Sequence, residues 1–271
     1  MRDLILRFPH VAEQIFQQLD NENLAKSREV EKLWKKFIDE RNYPWLRIVN
    51  IPTILQDGDT YMHLAAQYGQ ADMFEIILDE EENKNAKNHE GETPFLVACI
   101  KGHMNIALMV LKKADALKID LNAKDNLCQT AFYVACRNGH SDIVEMIIKN
   151  SSELKIDLYI KDVGGRTAFY PACLNGHSEI AEMILKKSSE LKKDLNVKDN
   201  HGWTAFHAAC CYGHSEIAEM IMKKSSELQI DLNFKNNKGN SAFHLACDKG
   251  HLETVEMIMK NSSELKIDLN I

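Results

Sequence analysis

Most of this 271-residue chain repeats itself at a nearly fixed interval. The opening residue of each copy is a threonine, or a serine in the last copy, and the interval is 33 residues once and then 37 residues four times. These opening residues are Thr60, Thr93, Thr130, Thr167, Thr204 and Ser241. A period in this range is typical of a solenoid, whose units have too little apolar surface to fold alone and therefore stack on their neighbours.

Each copy contains two short apolar patterns of helical spacing. In the third copy they occupy residues 131–136 and 143–148. Gly139 lies between them, where a left-handed residue ends a helix, and Ser141 is a candidate cap for the second helix. The first helix is rich in small residues, so neighbouring copies can approach closely on that side. The sequence thus predicts an all-α stack of helix-turn-helix units joined by projecting polar turns.

Particular motifs then identify the repeat. The fifth copy reads Thr204-Ala-Phe-His-Ala-Ala209 followed by Gly213-His214, and the second copy has a similar string from Thr93 to His103. These strings resemble the ankyrin repeat over residues 57–271. The resemblance implies an ankyrin-repeat domain, 49–271, with six repeats at about 57–89, 90–125, 126–162, 163–199, 200–236 and 237–271.

Some positions depart from the ankyrin pattern. Tyr133 and Tyr170 replace the usual histidine, and Pro171 falls in the fourth residue of a predicted helix, where it removes a backbone donor. Cys128 replaces the glycine expected in a turn. The local geometry of the third and fourth repeats is therefore predicted to differ from that of the others.

The first 45 residues do not share the period. Val11, Ile15 and Phe16 lie on one face of a helix that starts near Pro9. This stretch resembles an F-box, especially that of the β-transducin-repeat-containing protein. The resemblance implies a small helical module, 1–48, that docks on the Skp-type adaptor of a cullin-RING ubiquitin ligase. The residues that match, as interface or as the module's own core, are Phe8, Pro9, Val11, Ile15, Phe16, Leu19, Leu24, Val30 and Trp34.

The same leading helices have a simpler interpretation as a cap on the first repeat. Helices this short cannot close a large core, so part of their apolar surface is expected to contact something else. The segment 42–56 that follows is too apolar for a flexible tether. It is predicted to pack on the first repeat and to make the junction rigid.

Charge and hydropathy exclude several classes of function. The net charge is −7, and the basic residues are interspersed with acidic ones, which argues against a nucleic-acid partner. No apolar run approaches the roughly 18–20 residues of a membrane span, and Arg7 and Glu13 interrupt the N-terminus where a signal peptide would be apolar. The expectation is a soluble protein of the cytoplasm, with the nucleus as an alternative, that does not bind membranes.

The sequence contains residue patterns that resemble catalytic and metal-binding motifs, but their spacing does not give the geometry that those functions require. Five copies have a Cys-x3-His spacing, such as Cys210 and His214, but a glycine breaks the helix between the two residues, and zinc needs about four ligands around one point. His177, Ser178 and Glu179 are adjacent, so their side chains diverge and cannot form a hydrolytic triad. The sequence predicts no enzyme, no cofactor, no metal site and free thiols.

A binding function remains, and the variable positions indicate where. In the ankyrin family, partners contact the concave side, formed by the turn tips and the exposed end of the first helix. Two sets of positions vary while the rest of the copy repeats. They are the residue before each opening Thr or Ser and the pair of residues before each helix-ending glycine, and no residue of the first set is expected in the core. The types that anchor interfaces there are Tyr68, Arg137, Arg166, Leu174, Trp203 and Tyr212.

Two functions are consistent with this sequence. The first is the substrate-recognition subunit of an SCF-type ubiquitin ligase, in which the N-terminal module recruits the adaptor and the repeats hold a target protein. The second is a non-enzymatic interaction scaffold whose N-terminal helices only cap the repeats.

Overall fold

A computed structural model describes residues 58–80 and 82–270. The F-box-like stretch, with its nine predicted adaptor-binding residues, and the apolar segment 42–56 lie outside these ranges. The chain divides into two compact units, the first ending at Lys113 and the second beginning at Ala114.

The all-α prediction is confirmed, because the described residues form twelve α-helices and no β-strand. They come in six pairs, each a first helix and a second helix. The pairs are α1 (Tyr61–Gln67) and α2 (Ala71–Glu80), α3 (Pro94–Lys101) and α4 (Met104–Leu117), α5 (Ala131–Asn138) and α6 (Ser141–Asn150), α7 (Phe169–Leu174) and α8 (Ser178–Leu191), α9 (Ala205–Cys211) and α10 (Ser215–Leu228), and α11 (Ala242–Lys249) and α12 (Leu252–Leu265).

The second unit is two layers of helices. First helices α5, α7, α9 and α11 pack side by side in one layer, and second helices α6, α8, α10 and α12 form the other. Ala135, Cys136 and Ala209 are completely buried in the first layer, and Ile221 and Ile258 are buried in the second. The small residues let the first helices approach closely, whereas burial of each isoleucine contributes roughly 1.5–3 kcal/mol.

A hydroxyl cap starts most of the first helices. The side chain of Thr130 accepts a hydrogen bond from the backbone N–H of Tyr133 at 3.3 Å, and Thr204 and Ser241 cap α9 and α11 in the same way. Such a cap satisfies one of the backbone donors that a helix start leaves unpaired. The hydroxyl that opens each copy is therefore a helix-start signal.

The glycines that end the first helices of repeats one, three, four and five are required by a neighbouring side chain as well as by their own backbone. Gly139 has φ +78°, and a Cβ atom there would lie 2.7 Å from Cε1 of His177 in the next repeat. The predicted cap of α6 is wrong, because His140 precedes the helix and Ser141 is its first residue. His140 makes no side-chain capping bond.

Repeat four begins differently from its neighbours. Pro171 is the third residue of α7, one position earlier than predicted, because the helix begins only at Phe169. In repeat three the backbone N–H of Val134 donates to the carbonyl of Thr130 at 3.0 Å, and proline has no N–H for the equivalent bond. Instead, Tyr170 donates to Thr167 at 3.0 Å, and the turn tightens.

The turn that contains Cys128 keeps the shape of its glycine-containing counterparts. Cys128 adopts φ +58°, and Gly165 and Gly202 stand at the same place in other turns with φ +81° and +78°. A residue with a Cβ is unfavourable in this region by roughly 1–2 kcal/mol. The repeat framework therefore imposes the turn on a residue that disfavours it.

Candidate protein-binding surface

The six predicted anchors occupy two places in the repeat. Arg166 and Trp203 lie in the turns, immediately before the residue that opens a repeat, whereas the other four lie at the ends of first helices. Tyr68 belongs to the first unit and the remaining five belong to the second. Tyr212 is the most open of them, with 56% of its surface exposed, and the others are half-buried.

Arg166 is part of a bonded cluster. Its guanidinium lies 2.7 Å from the carboxylate of Asp162, its Nε donates to the same carboxylate at 2.9 Å, and its Cζ lies 5.7 Å from the ring centre of Tyr170. The hydroxyl of Tyr133 also donates to Asp162, at 2.8 Å. Arg166 thus offers a partner an aromatic-stacked, already neutralised guanidinium rather than a free charge.

The pKa values in this cluster follow from burial and hydrogen bonding. Burial would raise the pKa of the Asp162 carboxyl, but hydrogen bonds from Arg166 and Tyr133 outweigh it and lower the pKa. Burial, together with the bond to Asp162, raises the pKa of the Tyr133 hydroxyl. The tyrosine that replaces the usual histidine therefore remains a hydrogen-bond donor and links its own helix to the next turn.

Arg137 and its neighbour Gln129 correct one expectation. Gln129 is only 5% exposed, although the residue before each opening Thr or Ser was expected to lie outside the core. Its side-chain oxygen accepts from Arg137 at 2.7 Å, and its backbone N–H donates to Asp125 at 2.7 Å. These bonds satisfy the amide, which explains why a polar residue is tolerated there.

Trp203 and Tyr212 flank the fifth repeat's first helix at its two ends. The Trp203 ring lies 6.1 Å from that of His207, with an angle of 45° between the rings. Its backbone N–H donates to the Asp199 carboxylate at 2.8 Å, which fixes the turn. The tyrosine caps the C-terminus of α9. This repeat therefore presents Trp203, which lies against a neighbouring ring, and Tyr212, which is mostly exposed. Tryptophan and tyrosine are residue types that dominate interfaces.

The histidines after the helix-ending glycines hold adjacent repeats together. They were predicted to be simple turn residues, but the Nε2 atoms of four of them donate to a backbone carbonyl at the end of the preceding first helix. In the first unit His103 donates to Gln67 at 3.1 Å, and in the second unit His177, His214 and His251 donate to Arg137, Leu174 and Cys211 at 3.1, 3.0 and 2.9 Å. The backbone carbonyls of two of the six anchors, Arg137 and Leu174, are thus held by the framework.

Two apolar residues at the turn tips were not predicted. Leu127 is 52% exposed and Val163 is 55% exposed. The backbone N–H of Val163 donates to the carbonyl of Leu127 at 2.9 Å, so the two tips are in contact. Other turns have Gly164 and His201 at the position of Leu127. An apolar residue in a turn that is otherwise small or polar was the signal in the sequence.

The described residues offer little for catalysis. They contain no group of three or more His, Cys, Asp or Glu side chains arranged to hold a metal ion. Cys99, Cys136, Cys173 and Cys210 are buried, and burial raises the pKa of each thiol, which keeps it protonated. A cavity of about 10 Å³ lies between repeats three and four among apolar side chains such as Phe132 and Ile184. It has room for about one water molecule.

The helices in the part of the chain that the structure describes bear on whether it can cross a membrane. None of those helices combines the length and the apolar character that crossing a bilayer requires.

The fold and this surface define a helical-repeat protein of the protein-binding class. The family profile described as ankyrin repeats matches residues 30–125, 115–199 and 190–271. The protein therefore belongs to the ankyrin repeat family. Such repeats are generally non-enzymatic interaction modules.

Similar proteins share the repeats rather than a whole architecture. The chain is 32% identical over 88 residues to an ankyrin repeat protein of Rickettsia felis, which is 32% of this chain and 19% of that protein. It is 30% identical over 101 residues to the nuclear factor NF-kappa-B p110 subunit of Drosophila melanogaster, which is 37% of this chain and 10% of that protein. The chain thus spans less than a fifth of the length of these relatives.

A solved structure shows the same fold. An ankyrin repeat domain from Acinetobacter baumannii superposes with a TM-score of 0.62 and 23% identity, covering 74% of this chain and 96% of that one. The predicted class, an ankyrin-repeat solenoid, is confirmed.

Proposed function

We propose that the second unit binds a protein partner on the surface formed by its turn tips and the ends of its first helices. The observation that carries this proposal is the contrast between framework and surface. Caps, glycines and interlocking histidines recur in nearly every repeat, whereas Arg137, Arg166, Leu174, Trp203 and Tyr212 differ at equivalent places. The repeat framework does not dictate the residue type at these positions, as a surface that selects a partner requires.

The partner's contact is centred on repeats three to five. Leu127 and Val163 add exposed apolar area in the turns that precede repeats three and four, and repeat five adds the aromatic residues Trp203 and Tyr212. Tyr212 has little contact within the chain, so its removal costs little stability, while truncation of such an anchor in an interface commonly costs 2 kcal/mol or more.

The test is the double substitution Trp203→Ala and Tyr212→Ala. A photo-crosslinking residue at position 212 first captures partners from an extract of the source cells, and the partner so identified is then purified. We expect the double variant to bind it at least about 30-fold more weakly, with an unfolding midpoint near that of the unaltered protein. Replacement of exposed Leu252 and Met259 on α12 by Ala is the matched control. Equal affinity of both variants would refute the assigned centre.

A second, finer function is favoured by the F-box resemblance of residues 8–34. In it the chain is the substrate receptor of an SCF-type ubiquitin ligase: the N-terminal module docks on the Skp-type adaptor, and the repeats present the target. The family match begins at residue 30, so it overlaps the proposed module at Val30 and Trp34. This overlap favours the alternative, in which the leading helices only cap the repeats.

A pull-down with purified Skp-type adaptor separates the two. Under the ligase proposal the full chain retains the adaptor, and Ile15→Asp with Phe16→Asp abolishes retention while the repeats keep their helical signal. Absence of retention by the unaltered chain would leave the scaffold function. Both functions are proposed for the cytoplasm or the nucleus, whose reducing conditions suit cysteines that form no disulfide.

A further inference from the structure

A row of lysines runs past the turns of the second unit. Lys124, Lys161, Lys198 and Lys235 stand at intervals of 37 residues, each immediately before a turn, and all four are exposed. We call them the tip lysines. In each case the residue after the lysine is less exposed, and the residue after that is exposed again. For example, Asp162 is buried between exposed Lys161 and exposed Val163. The lysines therefore lie on the same outward side as the turn tips.

The acidic residues of these turns are hydrogen-bonded to the backbone of their own turn. The Asp162 carboxylate accepts from Gly164 and Arg166 backbone N–H groups at 2.9 Å, and Asp199 accepts from His201 and Trp203 at 2.8 Å. Asn236 performs the same task in the last turn without a charge. Because these carboxylates serve the turn backbone, the positive charge of the lysines dominates the exposed side.

Three of the tip lysines keep their charge available. In the described residues no carboxylate lies within 4.0 Å of Lys161, Lys198 or Lys235. The ammonium of Lys198 lies 3.7 Å from the ring centre of Phe234, which holds it in place without neutralising it. These lysines contrast with Lys223 on α10, which lies 2.9 Å from Glu219.

The distance between successive tip lysines determines which residues of a bound peptide can contact them. Backbone bonds at the tips, such as Asn200 to Gly164 at 2.9 Å, show that successive turns are in contact, and stacked helices lie about 8–10 Å apart. An extended peptide advances about 3.3–3.6 Å per residue. An extended segment in the polyproline-II conformation advances about 3.1 Å per residue with three residues per turn, so its every third side chain lies on one face, about 9 Å apart, and meets the next lysine.

We propose that the partner of the turn-tip surface contributes an extended segment with an acidic side chain at every third position, paired with the tip lysines. This inference rests on the proposed protein-binding function and specifies its ligand. A second row of exposed charges, Asp157, Asp194, Asp231 and Asp268, lies four residues before three of the lysines and at the matching place in the last repeat. A hydrogen bond from the Asn270 backbone and, among smaller causes, the charge of Lys235 lower the pKa of the Asp268 carboxyl. The acidic row therefore borders the lysine row, repels an acidic segment from that side and restricts it to the lysines.

The test uses two labelled twelve-residue peptides of identical composition, and fluorescence anisotropy measures their binding to the full chain. One carries Glu at positions 2, 5, 8 and 11, and the other carries the four Glu residues together. We expect the spaced peptide to bind about tenfold more tightly at low salt and to lose affinity as salt rises. Lys161→Gln, Lys198→Gln and Lys235→Gln together should remove this preference.

The matched control is the triple variant Lys186→Gln, Lys223→Gln and Lys260→Gln, which removes the same charge from second helices at the same interval. It should retain the preference. Equal binding of the two peptides, equal loss in both triple variants, or equally tight binding of a single-stranded oligonucleotide of similar length would each overturn the proposal. If the Trp203 and Tyr212 double variant loses the purified partner while the tip-lysine variant holds it fully, the protein-binding function stands and this inference fails.

Discussion

Repeats four and five have nearly the same second helix but different first helices. In repeat five Thr204 caps α9, its N–H donates to Nδ1 of His207 at 3.2 Å, and the N–H of Ala208 donates to the Thr204 carbonyl at 3.2 Å. Repeat four has Tyr170 and Pro171 at the positions of His207 and Ala208, and α7 begins one residue later than α9 in the repeat. Both repeats nevertheless bury the same small residues. The packing of first helices is thus indispensable, whereas the polar bonds at a helix start are exchangeable.

Moving the proline from one repeat to the other tests this contrast most strongly. Ala208→Pro removes the bond to Thr204 and places a ring against that carbonyl, so we expect a loss of about 3 kcal/mol. Pro171→Ala should change the free energy of unfolding by less than about 1 kcal/mol, because the regained hydrogen bond and the more flexible unfolded chain oppose each other. Urea unfolding measures both. A loss of less than about 1 kcal/mol in Ala208→Pro as well would show that the two repeats tolerate proline equally.

The glycine links provide a second test. Gly213→Ala combines a left-handed backbone, φ +73°, with a Cβ only 2.5 Å from Nδ1 of His251. Gly250 has φ +71° at the same place in the last repeat, and nothing lies within 4 Å of its Cβ position. We expect a loss of about 2–3 kcal/mol for Gly213→Ala and about 1 kcal/mol for Gly250→Ala. Equal losses would mean that backbone conformation alone demands glycine.

The smallest expected difference lies in pH dependence. Burial lowers the pKa of His207 below its ordinary 6.5, so the unfolded chain binds the proton first. The free energy of unfolding should therefore be undiminished above that value and decline as pH falls through it. Protonation would also place a hydrogen on Nδ1, which now accepts from the Thr204 N–H.

His207→Tyr imitates repeat four and should make the decline with pH shallower. The measurement is the urea midpoint at several values between about pH 7.5 and about pH 5. The same substitution at exposed His201 is the control and should leave the slope unchanged. An unaltered slope in His207→Tyr would mean that this histidine does not contribute to acid sensitivity.

Much of the fold was predictable because its signals are local. A hydroxyl, an apolar run and a glycine at fixed distances specify where first helices start and end, and the period specifies that they stack. The sequence predicted that Pro171 would disturb α7, but it did not predict that the helix would start one residue late. Its actual form depends on Tyr170 donating to Thr167, which the spacing alone does not reveal.

The candidate surface was less predictable, because its details depend on neighbouring repeats. The sequence indicated which positions vary, and Tyr212 is indeed exposed. The sequence did not show that Asp162 would neutralise Arg166 or that Arg137 would bond to Gln129, since each pairing depends on how the turn folds back on itself or onto the helix that follows. The contribution of all six anchors to partner binding stays a prediction.

The bonds from histidine to the preceding repeat also bear on how such a chain changes its length during evolution. In the second unit each of His177, His214 and His251 meets a carbonyl 40 residues earlier. Unequal recombination that deletes or duplicates one whole period returns every histidine to an equivalent acceptor. An insertion or deletion of any other length between such a histidine and its acceptor carbonyl separates the donor from the acceptor. Genes for arrays of this kind should therefore vary by whole repeats, with each new copy free to acquire its own tip residues.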